Sequence, residues 1–278
     1  MQLFPAMFWI TFFLLIPLGI LVIYSFWEMV GTRLIPVWDL HNYVDVFTRI
    51  KGMYIRLFFK SLAISALVTV GSIALAYPVA YFVSLRIEKY KYTWLILLMG
   101  PYLVCWVILV LGWKMVIGYS GLLNYLAQLL GLISEPMSWM WNNWWAVVFI
   151  LIMGWAPWLV FPMFVSLEKI DRSLLEAAAD LGAKPMKRFL RITLPLSSPG
   201  LLVATFFVLI PTFGEFVTPA LAGGSKGVMY GNAIDYSFTA MMAWPFGSAL
   251  SIFLMIISLV VATILIRIVG LEKLMESL

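Results

Sequence analysis

The sequence predicts an all-α integral membrane protein with six transmembrane helices. Three observations predict it. Apolar residues fill 64% of the 278 positions and charged residues only 11%, against about 45–50% and about 25% in a soluble domain. Six charge-free stretches are each long enough to cross a bilayer, which takes about 20 apolar residues. Most of the lysines and arginines gather in the segments between those stretches, where they set the orientation of the chain.

The spans follow in order. The first is placed at 6–27, just after Pro5. No basic segment precedes it and no small-residue cleavage site follows Ile23, so it reads as a retained span rather than a leader. The second, 61–85, lies between Lys60 and Arg86. The third, 92–113, is interrupted by Gly100-Pro101, a break tolerated where neighbouring helices satisfy the freed backbone groups. The fourth, fifth and sixth are placed at 144–166, 199–221 and 247–269. A further charge-free run, Met115 to Ser134, contains Ser120, Asn124, Gln128 and three glycines and is a poor span.

Topology also counts against that run. The loops 86–91 and 167–198 are both basic, so both belong in the cytoplasm, which takes an even number of spans between them. Segment 114–143 is therefore placed outside, with a re-entrant or surface helix near 121–130. Both termini then lie inside, and 28–60 and 222–246 lie outside. The first outer segment carries Arg33, Arg49, Lys51, Arg56 and Lys60, which makes the charge bias modest; it is long enough to have its own structure. Residues 1–278 read as a single transmembrane domain.

Several function classes drop out. One cysteine (Cys105) and one histidine (His41) make neither an internal disulfide nor a zinc site. The net charge of +5 fits topology-setting bases rather than a nucleic-acid surface. No G-x-x-x-x-G-K-[ST] phosphate loop is present, and Gly223-Gly224-Ser225-Lys226-Gly227 falls short of one. A membrane-embedded enzyme needs clustered His, Asp or Ser, and a secondary transporter tends to show internal repeats and several intramembrane charges. The chain shows no convincing repeat and one clear intramembrane acid, Glu215.

The polar segment 167–198 is the most informative. Ser173 and Glu176 fit a capping box that opens a short helix, Leu174 to Leu181. Ala177, Ala178 and Ala179 leave part of that helix nearly bare. Gly182 supplies the left-handed residue that ends it, and Pro185 suits the first turn of a second helix. Met186, Phe189, Leu190 and Thr193 fall at i, i+3, i+4 and i+7 and give that second helix one apolar face; Lys184, Lys187, Arg188 and Arg191 occupy the rest. Two readings fit: an amphipathic connector lying on the membrane surface, or a docking element for a soluble partner.

Glu176-Ala177-Ala178, Gly182, Ile192, Leu194 and Pro195 match every fixed position of the pattern EAA, three residues, Gly, nine residues, Ile-x-Leu-Pro. The segment resembles the signature loop of binding-protein-dependent ABC importer permeases, and the resemblance extends over essentially the whole chain. It implies the type I ABC importer permease fold with a cytoplasmic coupling helix. It implies that Glu176, Ala177, Ala178, Asp180, Leu181, Gly182 and Ala183 dock in a cleft of an ATP-binding subunit and couple it to the membrane helices. ATP and magnesium would be bound by those partner subunits, with no cofactor in this chain and no enzymatic activity of its own. The implied partners are a second homologous permease, a pair of ATP-binding subunits, an extracytoplasmic solute-binding protein and the bilayer, with no nucleic acid. The implied location is the bacterial inner membrane.

Ile210 to Gly231 and Trp244-Pro245-Phe246-Gly247-Ser248-Ala249 resemble spermidine/putrescine permeases. One departure is Ala243, where an acidic residue is expected before Trp-Pro. Glu215 sits in the fifth predicted span among Pro211, Gly214 and Pro219. An intramembrane carboxylate is costly and faces a pathway, a bundle interior or a pairing cation. Two roles fit it: contact with a cationic solute, or pairing with a base of a partner subunit. Asp235, Tyr236, Trp244 and Phe246 are the other candidates for the solute path, by charge and by cation–π attraction; an interfacial belt is the other role for the aromatics. Lys114 reads as a snorkelling anchor. Other solutes compatible with the loop are amino-acid-like compounds, iron(III) and oxyanions.

Overall fold

A computed structural model describes residues 4–138 and 142–269. The apolar runs fold as helices. They are α1 (Phe4–Ser25), α2 (His41–Leu85), α3 (Lys91–Met99), α4 (Trp106–Ile117), α5 (Leu122–Leu129) and α6 (Trp144–Glu168). The polar segment forms α7 (Arg172–Asp180), α8 (Pro185–Arg188), a wide π turn (Phe189–Thr193) and α9 (Leu194–Leu196). After it come α10 (Ser198–Phe213), a second π turn (Pro219–Gly223), α11 (Gly224–Gly227), α12 (Tyr230–Thr239) and α13 (Trp244–Val269). One antiparallel hairpin, β1 (Glu28–Val30) and β2 (Arg33–Ile35), pairs Met29 with Leu34.

Five helical stretches among the described residues are long and apolar enough to cross a bilayer: Met7–Ser25, His41–Leu85, Trp106–Leu129, Trp144–Glu168 and Trp244–Arg267. A sixth is reached if Pro185–Leu196 and Ser198–Phe213, bent by 65°, count as one. The third predicted span differs most. It breaks at a 3-10 turn, Gly100–Tyr102, because Pro101 has no N–H for the helical ladder. The apolar length then runs on through α4 and α5, into the segment that the charge pattern placed outside. A helix does lie at 122–129, and Asn124 anchors it: its Nδ2 donates to the carbonyls of Gly118 and Tyr119, each at 3.1 Å, and its Oδ1 accepts from Met137 N at 2.9 Å. The chain ends, predicted to be cytoplasmic, lie outside the described residues.

The chain divides into two compact units. The first is built from the described residues up to Ser61, with Gly214–Phe216 and Val228–Val261. Here the predicted outer segment 28–60 has the structure of its own that its length allows. It holds the hairpin and the start of α2, and Asn42 fastens that start by donating to Ser25 O (3.0 Å) and Trp27 O (2.8 Å). Helix α2 kinks at Arg49–Gly52, where Ile50, Lys51 and Gly52 all have φ near +50° to +70°. The left-handed region costs a non-glycine residue about 1–2 kcal/mol. The surroundings hold it there: Val46 and Tyr54 on either side are buried, and the Arg49 guanidinium lies 4.8 Å over the Phe246 ring.

The second unit comprises the described residues of Leu62–Phe213, Val217–Gly227 and those after Ala262. Helix α6 is its centre, with Ile150, Leu151, Leu159 and Leu167 fully buried. Asn143 caps α6 by accepting from Trp144 N at 2.7 Å. Val110 and Ile117 of α4 pack with Ala146, Ile150 and Ala222 in one cluster. Lys114, predicted to snorkel, instead donates to Leu221 O at 2.5 Å. That carbonyl lies in the second π turn, and a partly buried ammonium supplies the donor that an irregular backbone needs.

Candidate functional site

Two regions carry the predicted functional residues, one in each unit. The first is the polar segment between α6 and α10. Helix α7 starts two residues earlier than the capping box predicts. Asp171 is the N-cap, and its Oδ1 accepts from Ser173 N at 2.9 Å. Ser173 therefore lies in the first turn. A carboxylate is a charge-assisted acceptor at a helix N-terminus, and Asp171 stands where the chain enters the helix, so it takes the cap. The Ser173 backbone amide, and after it the Ser173 hydroxyl, hold the Asp171 carboxyl below the usual carboxylate range.

The C-terminal end forms as predicted. Gly182 has φ +77°, its N–H donates to Ala179 O at 2.8 Å, and Ala183 N donates to Ala178 O at 3.0 Å. This pair of bonds is the Schellman closure, which needs a left-handed residue at the Gly182 position. Glu176, Ala177, Asp180, Leu181 and Gly182 are exposed, and Ala178 and Ala183 half-exposed. Leu181 shows 89% of its surface. An apolar side chain so placed beside bare alanines leaves α7 an open, closely approachable ridge.

The second helix of the segment departs from its predicted amphipathic face. Its middle is the π turn Phe189–Thr193, which widens the repeat and splits the apolar set. Thr193 is buried and Phe189 half-buried, while Met186 and Leu190 are exposed. Arg188 Nη1 donates to Leu175 O at 3.2 Å and joins α8 to α7. Lys91, at the start of α3, bonds both oxygens of Glu168 at 2.7 and 3.0 Å. The loops 86–91 and 167–198, assigned to one side on charge alone, thus meet.

The second region surrounds Glu215. Helix α10 ends at Phe213, so Glu215 lies in a helix break, half-buried, rather than inside a continuous span. The break is packed from behind by α12. A Cβ on Gly231 would stand 2.6 Å from Glu215 O and nearer still to Gly214 O, so only glycine lets α12 approach. Asn232 Nδ2 donates to Phe216 O at 2.8 Å, and its Oδ1 accepts from Met229 N at 2.9 Å. Lys60 donates to Val228 O at 2.8 Å, and Tyr230 N to Ser61 Oγ at 2.7 Å. Lys60, Ser61, Gly231 and Asn232 thus build the region; Gly231 closes the Ile210 to Gly231 stretch noted in the sequence, and the other three stand in no recognisable motif.

The other path candidates fall in the same unit and separate by exposure. Asp235 and Tyr236 are exposed on α12, and Trp244 is 46% exposed. Phe246 is a core residue at 2% exposure. Its ring takes the edge of Tyr54 at 5.0 Å and the Arg49 guanidinium, so a protein cation already occupies it. In the second unit a cavity of about 660 Å³ lies against α6, lined by Trp106, Trp155, Trp158, Phe161 and Phe207 among others, with no carboxylate in its wall. The spacing Trp155, Trp158, Phe161 on one helix is the signal that sequence reading passed over. Among the described residues no group of acidic, histidine or cysteine side chains forms a metal site.

Known proteins place this geometry. The model of the family described as "Binding-protein-dependent transport system inner membrane component" matches residues 72–271. The spermidine/putrescine transport system permease protein PotB of Haemophilus influenzae is 34% identical over 246 residues, covering 88% of this chain and 84% of that protein. Among solved structures, a bacterial ABC transporter involved in the import of the acidic polysaccharide alginate aligns over 96% of this chain and 93% of that one, at TM-score 0.75 and 18% identity. The same kind of transporter in complex with an alginate pentasaccharide-bound periplasmic protein aligns over 96% and 91%, at TM-score 0.73 and 18% identity.

Proposed function

The chain belongs to the binding-protein-dependent transport system inner membrane components, and from that premise we propose that it forms half of the solute pathway of a polyamine importer driven by ATP. It is a multi-pass permease subunit of an ABC importer in the inner membrane. Its cargo is spermidine, putrescine or a related small cation, as in the PotB relatives. A second homologous permease completes the pathway, a pair of ATP-binding subunits binds ATP and magnesium, and an extracytoplasmic binding protein delivers the solute. Both termini face the cytoplasm.

One observation carries the reading: α7 is closed at Gly182 by its own hydrogen bonds, has no buried residue, and leaves Glu176, Ala177, Asp180, Leu181 and Gly182 exposed. A helix finished at both ends and left with Leu181 in the open is made to enter another protein's cleft. ATP binding draws two such helices together, and the paired permeases turn toward the outside. Hydrolysis returns them. The protein's contribution to selectivity lies at Glu215, where the helix break leaves backbone carbonyls beside a carboxylate. An oxygen-rich break of this kind suits an ammonium and disfavours an oxyanion. Exposed Tyr236 and Trp244 add cation–π attraction of about 0.5–2 kcal/mol each.

The test is uptake of labelled spermidine into vesicles holding this chain, the second permease and the ATP-binding subunits, with the binding protein outside. Uptake that needs ATP and the binding protein supports the reading. Uptake that follows a proton or sodium gradient without ATP makes the chain a secondary transporter and overturns it.

A further inference from the structure

The polar segment must pass its motion to more than one membrane helix. Helix α10 follows it directly along the backbone, through the 65° bend between Leu196 and Ser198. That bend is weakly braced by its own backbone. Pro195 and Pro199 lack N–H groups, so two rungs of the helical ladder are missing beside Ser197.

A side chain from another helix braces it. Ser197 is 1% exposed, and its Oγ stands 2.8 Å from the hydroxyl of Tyr77, on α2. Either hydroxyl can donate in that bond, and Ser197 Oγ also has Leu194 O within reach at 3.2 Å. The same tyrosine holds the other end of the segment. The Phe189 ring meets Tyr77 edge-on at 5.8 Å and Tyr81 at 6.2 Å. Tyr77 and Tyr81 are four residues apart on α2 and share a face. Phe189 opens the π turn, and the preceding Arg188 bonds Leu175 of α7. A continuous set of contacts thus runs from α7 through Arg188 and Phe189 to Tyr77, and from Tyr77 to the bend at Ser197.

We infer that Tyr77 is a positioning residue of the transport cycle: its ring takes the push of the coupling segment at Phe189, and its hydroxyl holds the Ser197 bend, so that α2 and α10 move together when α7 moves. The inference rests on the coupling role proposed for α7. It adds a joint that the Glu-Ala-Ala loop does not contain, built from one hydroxyl–hydroxyl bond and one aromatic contact.

The test uses the whole reconstituted importer with Tyr77→Phe, Ser197→Ala and the double variant, each of which removes only a hydroxyl. Spermidine uptake per ATP hydrolysed is measured together with the stimulation of ATP hydrolysis by the binding protein. Co-purification of the ATP-binding subunits reports assembly. Each single variant is expected to assemble and to lower both ratios by about threefold or more, the scale of one net hydrogen bond. The double variant is expected to be no worse than Ser197→Ala, which already removes the Tyr77 bond together with the bond to Leu194 O. Phe189→Tyr is expected to keep both ratios, and Phe189→Ala to lower them. Ratios within about twofold of the parent in both single variants, or effects that multiply in the double variant, overturn the joint. Wild-type behaviour separates the two proposals. A parent importer without ATP-driven spermidine uptake refutes the cargo, and the stimulation ratio still reads the joint.

Discussion

The two candidate regions are built in opposite ways. Helix α7 of the coupling segment is closed by partners close in sequence: Asp171 to Ser173, Gly182 to Ala179, Ala183 to Ala178. The Glu215 region is closed by partners far away: Lys60 holds Val228 across 168 positions, and Ser61 holds Tyr230 across 169. A locally closed helix keeps its shape while its surface stays open, which a docking element needs. A region closed over long distances has a shape set by the packing of the start of α2, α12 and the break Gly214–Phe216, which suits a path whose walls must shift together. The comparison also separates the expected kinds of failure. A change in the first region should leave an inserted protein that no longer answers ATP, and a change in the second should alter folding or cargo.

The largest effect is expected at Gly231. A methyl group there meets the backbone carbonyls of Gly214 and Glu215, and backbone cannot yield as a side-chain tip does. Overpacking of this kind costs about 1–3 kcal/mol or more. Gly231→Ala should therefore lower the yield of inserted protein and its unfolding midpoint, measured in detergent, and abolish uptake. Normal stability in that variant breaks the claim that the second region is closed by close packing.

Gly182→Val comes next. A Cβ at Gly182 meets nothing within 4 Å, so the strain is in the backbone alone, about 1–2 kcal/mol for a left-handed side chain. The variant should insert with normal stability yet lose about tenfold of its ATP-driven uptake, since 1.4 kcal/mol is a factor of ten. Gly182→Asn should retain most activity because asparagine tolerates that conformation. Equal behaviour of valine and asparagine breaks the assignment of α7 closure to the left-handed turn.

How much of each region was legible in the sequence follows from the same contrast. Gly182 announced its turn because the glycine, the preceding alanines and the following Pro185 all speak locally. Gly100-Pro101 announced the break in the third span for the same reason, though not that the apolar length would run past Trp113 to Leu129. The cap was misplaced by two residues because Ser173 with Glu176 and Asp171 are both acceptable starts, and charge decided for the aspartate. The π turn at Phe189 left no mark, since nothing in the residues 186–193 distinguishes a repeat of i+5 from one of i+4. Lys60 and Lys114 read as outer-surface charges because their acceptors, Val228 O and Leu221 O, lie in segments that only the fold brings near. Phe246 read as a residue of the solute path or of an interfacial belt, because burial against Tyr54 and Arg49 is a tertiary fact.

Glu215→Gln sharpens the comparison from the cargo side. The substitution keeps size and hydrogen-bonding capacity and removes the charge. Spermidine uptake should fall severalfold or more, since an opposed charge about 4 Å away is worth about 1 kcal/mol in water and about 4 kcal/mol near the surface of a protein, while the binding protein still stimulates ATP hydrolysis. Loss of that stimulation instead gives Glu215 a role in the cycle rather than in cargo, and unchanged uptake removes it from the path.

The smallest effect is expected at Asp171, and its pH dependence has a definite sign. Hydrogen bonds from Ser173 hold the carboxyl below its ordinary value, which is about 3.9 in an unfolded chain. A group depressed in the folded state stabilises above its unfolded value, and that contribution is lost as pH falls through the folded value. The N-terminal turn of α7 should therefore fray on acidification below about pH 4 and not on going alkaline. Hydrogen exchange at the Ser173 amide reads this directly, compared at each pH with Asp171→Asn, which keeps the cap without the charge. Asp171→Ala should exchange fast at every pH and weaken capture of the ATP-binding subunits slightly. An Asp171→Asn variant that frays with pH as the parent does would move the titration to another group, and the local closure of α7 would then rest on Gly182 alone.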